Sequence, residues 1–187
     1  MRLFIGLWIA CAAAAQSSPP AGLEPTWDVA VILEEIAKDA AALQPLLGQV
    51  DAAGWVSRGA SATYGEQVQS SRAQAGAITA EARALARNPE KLSGALQLFF
   101  RLQGLETMLS SVEDGTRRYQ TPQLAESLAE AFAHSGVNRE RFRNYIINLA
   151  AEREQQFEVM DQEAQRCRTQ LMALPPPPKS KPVAKKK

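Results

Sequence analysis

The stretch LSGALQLFFRLQGLETMLSSV, residues 92–112, decides the fold class of this chain. Its apolar residues recur every three or four positions, which is the period of an α-helix rather than of a strand. They are Leu92, Ala95, Leu96, Leu98, Phe99, Leu102, Leu105, Met108, Leu109 and Val112. Because this set covers more than one helical face, we expect the helix to lie near the middle of an all-α fold.

Helical spacing continues on the N-terminal side of this stretch. Thr26 can cap a first helix by accepting backbone N–H bonds, and Pro45 is expected to kink or end that helix. A second stripe, mostly of small residues, occupies residues 64–85 and lets a neighbouring backbone come close. At Asn88-Pro89 the sequence predicts a cap and a first helical residue, and hence a sharp turn, with one kinked helix as the alternative.

Two further helices follow the central stretch. Thr121-Pro122 begins a shorter one that Gly136 is placed to end, and Asn138 is expected to cap the last helix. Residues 26–172 are therefore predicted to form one domain, an elongated antiparallel bundle of four long helices and one short helix. No segment of the sequence alternates as a strand would.

Glycines interrupt the pattern between Gly48 and Ser61, and we interpret this segment as a connection. It carries Trp55 and Val56. In one interpretation the pair closes the end of the bundle core, and in the other it forms a tip that contacts a partner protein. Trp55 and Val56 are therefore the candidate partner-contact residues.

Residues suited to catalysis are sparse. His134 is the only histidine, so any relay between a nucleophile and a histidine would have to use it. It stands near a predicted helix end, where a cationic side chain complements the helix dipole. Glu126 and Glu130 precede it at spacings of four, which makes a surface metal site the alternative to a solvated face. We predict a non-catalytic protein and assign no catalytic, cofactor-binding or metal-binding residue.

The last predicted helix has an apolar seam that weakens towards its C-terminal end. The seam is polar between Arg153 and Gln156, where we expect it to face solvent or another subunit, so self-association is a hypothesis. It continues at Met160, Ala164, Cys167 and Leu171. Cys167 is interpreted as a small buried hydrophobic side chain, with a reactive or dimer-forming thiol as the alternative.

The first residues carry the pattern of a bacterial export signal. Arg2 precedes an apolar run that ends in an Ala-x-Ala motif at Ala15, which is typical of a signal peptide. We therefore predict a signal peptide over residues 1–15, a flexible linker over residues 16–25, and a periplasmic or extracellular location. Anchoring as a lipoprotein through Cys11 is the alternative.

Charge is divided between the body of the chain and its C-terminal end. Of the 21 Lys and Arg residues, Arg2 lies in the predicted signal and five lysines follow Pro178, which leaves 15 against 20 Asp and Glu. The five are Lys179, Lys181, Lys185, Lys186 and Lys187. Residues 173–187, with four consecutive prolines, are predicted to be a disordered tail that tethers the protein weakly to anionic lipid or cell-wall polymer. A solubilising terminus is the alternative.

Two classes of function fit these features. The first is an exported, non-catalytic module that binds protein partners at the bacterial cell envelope, as a scaffold, an adaptor or a chaperone. The second is a bundle that binds a small molecule or a metal between its helices, for which the seams offer only Ser71, Arg153 and Gln156 as inward polar groups. Export would separate the basic tail from the nucleic acid of the cytosol, so we predict no nucleic-acid partner.

Overall fold

A computed structural model gives the fold of this chain and describes residues 26–173, with side chains from residue 28. Within that range the chain is all-α, as the sequence predicts, and contains no strand. Its six helices are α1 (Thr26–Gly48), α2 (Ala52–Ser57), α3 (Thr63–Ala86), α4 (Leu92–Tyr119), α5 (Pro122–His134) and α6 (Gly136–Ala173). Four of them have 23 residues or more, whereas α2 has six and α5 has 13.

The apolar core lies between α1, α3, α4, α5 and the first half of α6. α1 contacts three of these helices, namely α3, α5 and α6. Its adjacent residues Ile32 and Leu33 are both buried, so α1 is covered over a wide arc. α4 also contacts three helices, but its Phe100 is exposed. The central position predicted for residues 92–112 is therefore shared with α1.

Hydrogen bonds and an ion pair fix α1 and α3 side by side in opposite directions. Near the end of α1, the amide of Gln44 donates to the backbone oxygen of Arg72 in the first half of α3. Near the other end, Arg83 of α3 pairs with Glu34 of α1. Early residues of one helix thus meet late residues of the other, which is the antiparallel arrangement.

Pro45 does not end α1, which continues to Gly48. Of the two expectations for this proline, the end of the helix is therefore wrong, and the kink stays a prediction. Arg72 donates two hydrogen bonds, of 3.1 and 2.6 Å, to the backbone oxygen of Leu47. The guanidinium thereby satisfies a carbonyl in the last turn, where helical partners are missing, and this stabilises the turn after the proline.

The stripe of small residues in α3 is buried, as the sequence predicts. Ser71, Ala75 and Ala82 have no measurable exposure. Small side chains let the α3 backbone approach its neighbours closely, and α3 packs on both α1 and α4. The hydroxyl of Ser71 has no hydrogen-bond partner among the described residues, so it behaves as a small packing group in the core.

α3 and α4 form a hairpin, so the predicted sharp turn is confirmed and the single kinked helix is not observed. Arg101 of α4 pairs with Glu81 of α3 at 2.9 Å across the hairpin. α4 begins at Leu92, with Lys91 in the cap position. The prediction that Asn88-Pro89 would cap and begin this helix is therefore wrong, because these residues form the turn itself.

The segment between Gly48 and Ser61 is not a plain connection, contrary to the sequence interpretation, because it contains α2. Asp51 caps this helix, and its side chain accepts a 2.9 Å hydrogen bond from the N–H of Gly54. Gly59 follows with a φ of +93°, a conformation that a residue with a side chain would adopt only under strain. A helix of six residues is too short to be recognised from apolar periodicity.

The start of α5 agrees with the sequence prediction, whereas the start of α6 does not. The hydroxyl of Thr121 accepts from the N–H of Leu124, and Pro122 is the first residue of α5. Only Ser135 separates α5 from α6, since α6 begins at Gly136. The predicted cap at Asn138 is therefore wrong by three residues, since Ser135 precedes the first residue of α6 and this asparagine lies within the helix.

Three aromatic rings close one end of the core. The ring centroid of Trp55 lies 5.5 Å from that of Tyr64 and 6.1 Å from that of Tyr119. Gly115 of α4 lies directly against this cluster. A Cβ at Gly115 would stand 2.7 Å from a carbon of Trp55 and 2.8 Å from a carbon of Tyr64, so the glycine is needed for the close approach.

We predict that Gly115→Ala destabilises the protein. The added methyl group would displace packed rings, at a cost of about 1–3 kcal/mol, which exceeds the gain of about 1 kcal/mol in helix propensity. Urea unfolding followed by tryptophan fluorescence measures the change. Gly65→Ala in α3 is the matched control, because a Cβ there meets no atom within 4 Å. Equal stability of the two variants would contradict the packing role of Gly115.

Candidate interaction surface

α6 extends beyond the helices on which it packs. Its first half contacts α1, α4 and α5, and Phe142, Tyr145, Ile146 and Leu149 are buried there. From residue 154 to residue 173 every side chain is exposed. At about 1.5 Å per residue, this second half is about 30 Å long. We call it the arm, and we call residues 26–153 the body.

Apolar residues recur along the arm at alternating spacings of three and four. They are Phe157, Met160, Ala164, Cys167 and Leu171, which we call the α6 stripe. Phe157 is 74% exposed and Met160 is 69% exposed. This spacing places the five side chains on one face of the helix and is the repeat by which two helices pack in a coiled coil. A regular apolar face left in water is typical of a surface that binds another protein.

The α6 stripe lies on the same side of α6 as the residues that pack on the body. From Ile146 the steps to Leu149, Arg153 and Phe157 are three, four and four residues, and the stripe then continues at three and four. Steps of this size stay on one helical face. The face that is buried in the body is thus the face that is bare on the arm.

Arg153 marks the end of the body. Its guanidinium donates to Glu90, in the turn between α3 and α4, over 3.1 Å, and to Gln156 over 2.8 Å. The polar section predicted between Arg153 and Gln156 is therefore divided. Arg153 contacts the body, and Gln156 is exposed at the start of the arm.

The structure revises two predictions that were made from the sequence for the last helix. Cys167 is exposed, so its interpretation as a buried side chain is wrong. The helix continues past the body, and nothing in the described chain covers the thiol. The sequence seam also passed through Gln156 and missed Phe157. The unbroken three–four spacing that starts at Phe157 is the signal that could have identified it.

The two candidate partner-contact residues lie at the aromatic end of the core. Trp55 is fully buried between Tyr64 and Tyr119, whereas Val56 is 39% exposed. The indole is thus part of the internal packing. A partner contact at this tip remains a prediction, and of the two residues only Val56 could make it while α2 stays folded.

The other sequence-predicted sites lie outside the described residues. These are the five lysines Lys179, Lys181, Lys185, Lys186 and Lys187, together with Cys11. The predicted signal peptide and linker, residues 1–25, also lie outside them. Their proposed roles therefore depend on the sequence alone.

His134 has a partner that its position near a helix end did not indicate. Its Nδ1 lies 2.9 Å from Oδ1 of Asp39 in α1. The carboxyl of Asp39 is buried, while the imidazole is largely exposed. The second oxygen of Asp39 has no hydrogen-bond partner among the described side chains and backbone groups. His134 thus satisfies half of a buried carboxyl group and joins α5 to α1.

The described residues do not assemble a metal site around His134. Between residues 26 and 173, no three His, Cys, Asp or Glu side chains come together in a way that could hold a metal ion. Glu126 and Glu130 are exposed on the surface of α5. The alternative of a surface site with His134 therefore has no geometry to support it in this part of the chain.

A shallow cleft lies between α4 and α6. It has a volume of about 230 Å³, and its walls include Phe99, Glu106, Arg139 and Arg143. Arg139 pairs with Glu106 at 3.2 Å and lies over the ring of Phe132 at 4.0 Å from the centroid. The cleft is smaller than most small-molecule sites, which begin at about 300 Å³, and its charges are balanced within the protein.

Burial shifts two titratable groups of the body. Desolvation raises the pKa of the Glu113 carboxyl, with Arg117 opposing the shift and Asp114 adding to it. Desolvation also raises the pKa of the Tyr145 hydroxyl, which Glu90 reinforces and Arg153 opposes. Tyr145 therefore stays neutral in the core at neutral pH, and neither group lies on the arm.

Comparison of the chain with family models, with curated proteins and with solved structures finds no match. None of the helices in residues 26–173 combines the length and the apolar character that crossing a membrane requires.

We predict that His134→Ala lowers the free energy of unfolding by about 1–3 kcal/mol, because the buried Asp39 carboxylate loses its partner. Urea unfolding measures the change. The control is the double-mutant cycle with Asp39→Ala, in which the cost of losing His134 should largely vanish. Equal cost of His134→Ala in both backgrounds would show that the pair contributes nothing to stability.

Proposed function

We propose that this protein is an exported, non-catalytic helical module that binds protein partners at the bacterial cell envelope, as a scaffold, an adaptor or a chaperone. The observation that carries the proposal is the α6 stripe, an exposed apolar face on an arm that extends about 30 Å from the body. Apolar surface of this regularity is stabilised when a partner removes it from water. The arm is therefore the proposed binding element.

In this proposal, the other helices form the support from which the arm extends. Pairwise contacts link α1 to α3, α3 to α4, and α6 to both α1 and α4. We propose that together they form an elongated antiparallel bundle, in which the long helices α1, α3, α4 and α6 supply the length. A rigid bundle of this kind keeps the first half of α6 straight and so sets the direction of the arm.

The proposed location and tether depend on the two ends of the sequence. Residues 1–15 have the layout of a signal peptide, which supports a periplasmic or extracellular location. The five lysines that follow Pro178 support weak attraction to anionic lipid or cell-wall polymer. Each lysine contributes about 1 kcal/mol at most near an anionic membrane, and salt screens this attraction. We propose no nucleic-acid partner, because of that location.

A small-molecule-binding protein is the second candidate, and the cleft between α4 and α6 is the feature that favours it. Arg139 and Arg143 are groups that would bind an acidic ligand. Glu106 and Glu140 already pair with them, however, so a ligand would have to displace these carboxylates. Because of this requirement, the cleft is a weaker candidate for the binding site than the arm.

Chemical cross-linking in the exporting host tests the proposed binding role of the arm. We expect covalent adducts in the envelope fraction for the natural chain and their loss for Met160→Lys, because a charge within an apolar contact opposes its desolvation. Ile147→Lys is the matched control, since Ile147 is also exposed on α6 but lies in the body. Identical adducts for all three proteins, or adducts in the cytosolic fraction alone, would contradict the proposal.

Removal of residues 179–187 tests the tether. We expect the shortened protein to bind less to vesicles of anionic lipid at low salt, and the two proteins to bind equally at high salt, because the attraction is electrostatic. Vesicle co-sedimentation measures the bound fraction, and vesicles of neutral lipid are the control. Equal binding at low salt would leave the tail as a solubilising terminus.

A further inference from the structure

We propose, on the basis of the arm as the binding element, that the partner of the α6 stripe is a second copy of this chain, and that two arms pack as an antiparallel coiled coil. The stripe is apolar at five positions of one three–four repeat, which is the pattern that two identical helices share when they pack on each other. The direction and the register of the pair follow from the rest of the structure.

The position of the body decides the direction. The stripe faces the same side of α6 as Ile146 and Leu149, which are buried in the body. A second helix on the stripe therefore lies in line with the body. If it ran parallel, its own first half and its body would enter the space that this body fills. If it runs antiparallel, the second body lies at the far end of the paired arms and both bodies fit.

The side chains of the stripe decide the central layers. The apolar residues of the repeat occupy two kinds of position in alternation. In an antiparallel pair, a residue at one kind of position faces a residue at the other kind on the second helix. Ala164 then lies opposite Cys167 of the second copy, and Met160 lies opposite Leu171 of the second copy. Each layer occurs twice because of the two-fold symmetry. The small residues at the centre let the helices approach, and the larger ones flank them.

The charges beside the stripe select this register. Asp161 and Arg168 follow stripe residues by one position and lie at the edge of the contact. With Ala164 opposite Cys167 of the second copy, Asp161 lies beside Arg168 of the second copy, and the two-fold symmetry repeats this pair along the same edge of the contact. A shift of one heptad in one direction brings the two Asp161 carboxylates together, and a shift in the other direction brings the two Arg168 side chains together. Both shifts place like charges beside each other, which is unfavourable.

Sedimentation velocity over a concentration series tests this dimer, with the protein purified as the exporting host processes it. The arm is short, so we expect a monomer–dimer equilibrium on the micromolar scale. Asp161→Arg and Arg168→Asp should each raise the dissociation constant by about tenfold or more, and the double variant should restore it. Ile147→Lys is the control and should leave the dissociation constant unchanged. All these residues are exposed, and circular dichroism checks that the variants stay helical.

Disulfide formation tests the direction of the pair. In the antiparallel register, Ala164→Cys places a thiol opposite Cys167 of the second copy, and we expect rapid covalent dimers under mild oxidation. The natural chain should cross-link slowly, because the two Cys167 residues are offset by about three residues along the axis, beyond the reach of a disulfide. Rapid cross-linking of the natural chain, with no effect of the charge reversals, would indicate a parallel pair and overturn the proposal.

Two further outcomes separate this inference from the proposed function. A purified protein that stays monomeric throughout the series would overturn the dimer. If the same chain then cross-links in the envelope to a different protein through Met160, the proposed function stands and a heterologous partner occupies the stripe. A dimer in solution whose only stripe-dependent adduct in the envelope joins two copies of this chain would support the inference and remove the proposed binding of other proteins.

Discussion

The close packing of α1 on the small residues of α3 is the contact on which the rest of the structure depends. Ala75 and Ala82 present almost no side chain, so the two backbones approach and α1 lies deep in the body. The opposite sides of α1 then remain for α5 and the first half of α6. Cys167 is exposed on the arm, and packing of this kind therefore holds the described helices together without a disulfide.

A difference in helix length creates the candidate site. α1, α3 and α4 have 23 to 28 residues, whereas α6 has 38. Neighbours of ordinary length cover α6 only as far as Arg153, which pairs with Glu90 at the end of the body. The same apolar face therefore serves two purposes. It anchors α6 in the core, and beyond the body it is available to a partner.

Much of the fold could be predicted because apolar periodicity reports which residues face inward. The predictions that failed, and the features that were missed, leave no apolar period in the sequence. α2 has only six residues. Neither the capping of α2 by Asp51 nor the burial of Trp55 gives a repeating apolar pattern in the sequence. The pair of His134 with Asp39 joins positions 95 residues apart, and no local pattern records such a contact. The stripe itself was visible in part, since its spacing is regular, but its exposure was not.

The sequence by itself determined the all-α class and the positions of most apolar side chains, because these depend on local spacing. It favoured a turn between α3 and α4 through residues that break helices, and the structure decided between this turn and one kinked helix. Only the tertiary structure decided which apolar residues are buried. A side chain is buried when another helix lies beside it, and the lengths of the neighbours set that condition. For this reason Leu149 belongs to the core and Met160, on the same face of the same helix, belongs to the surface.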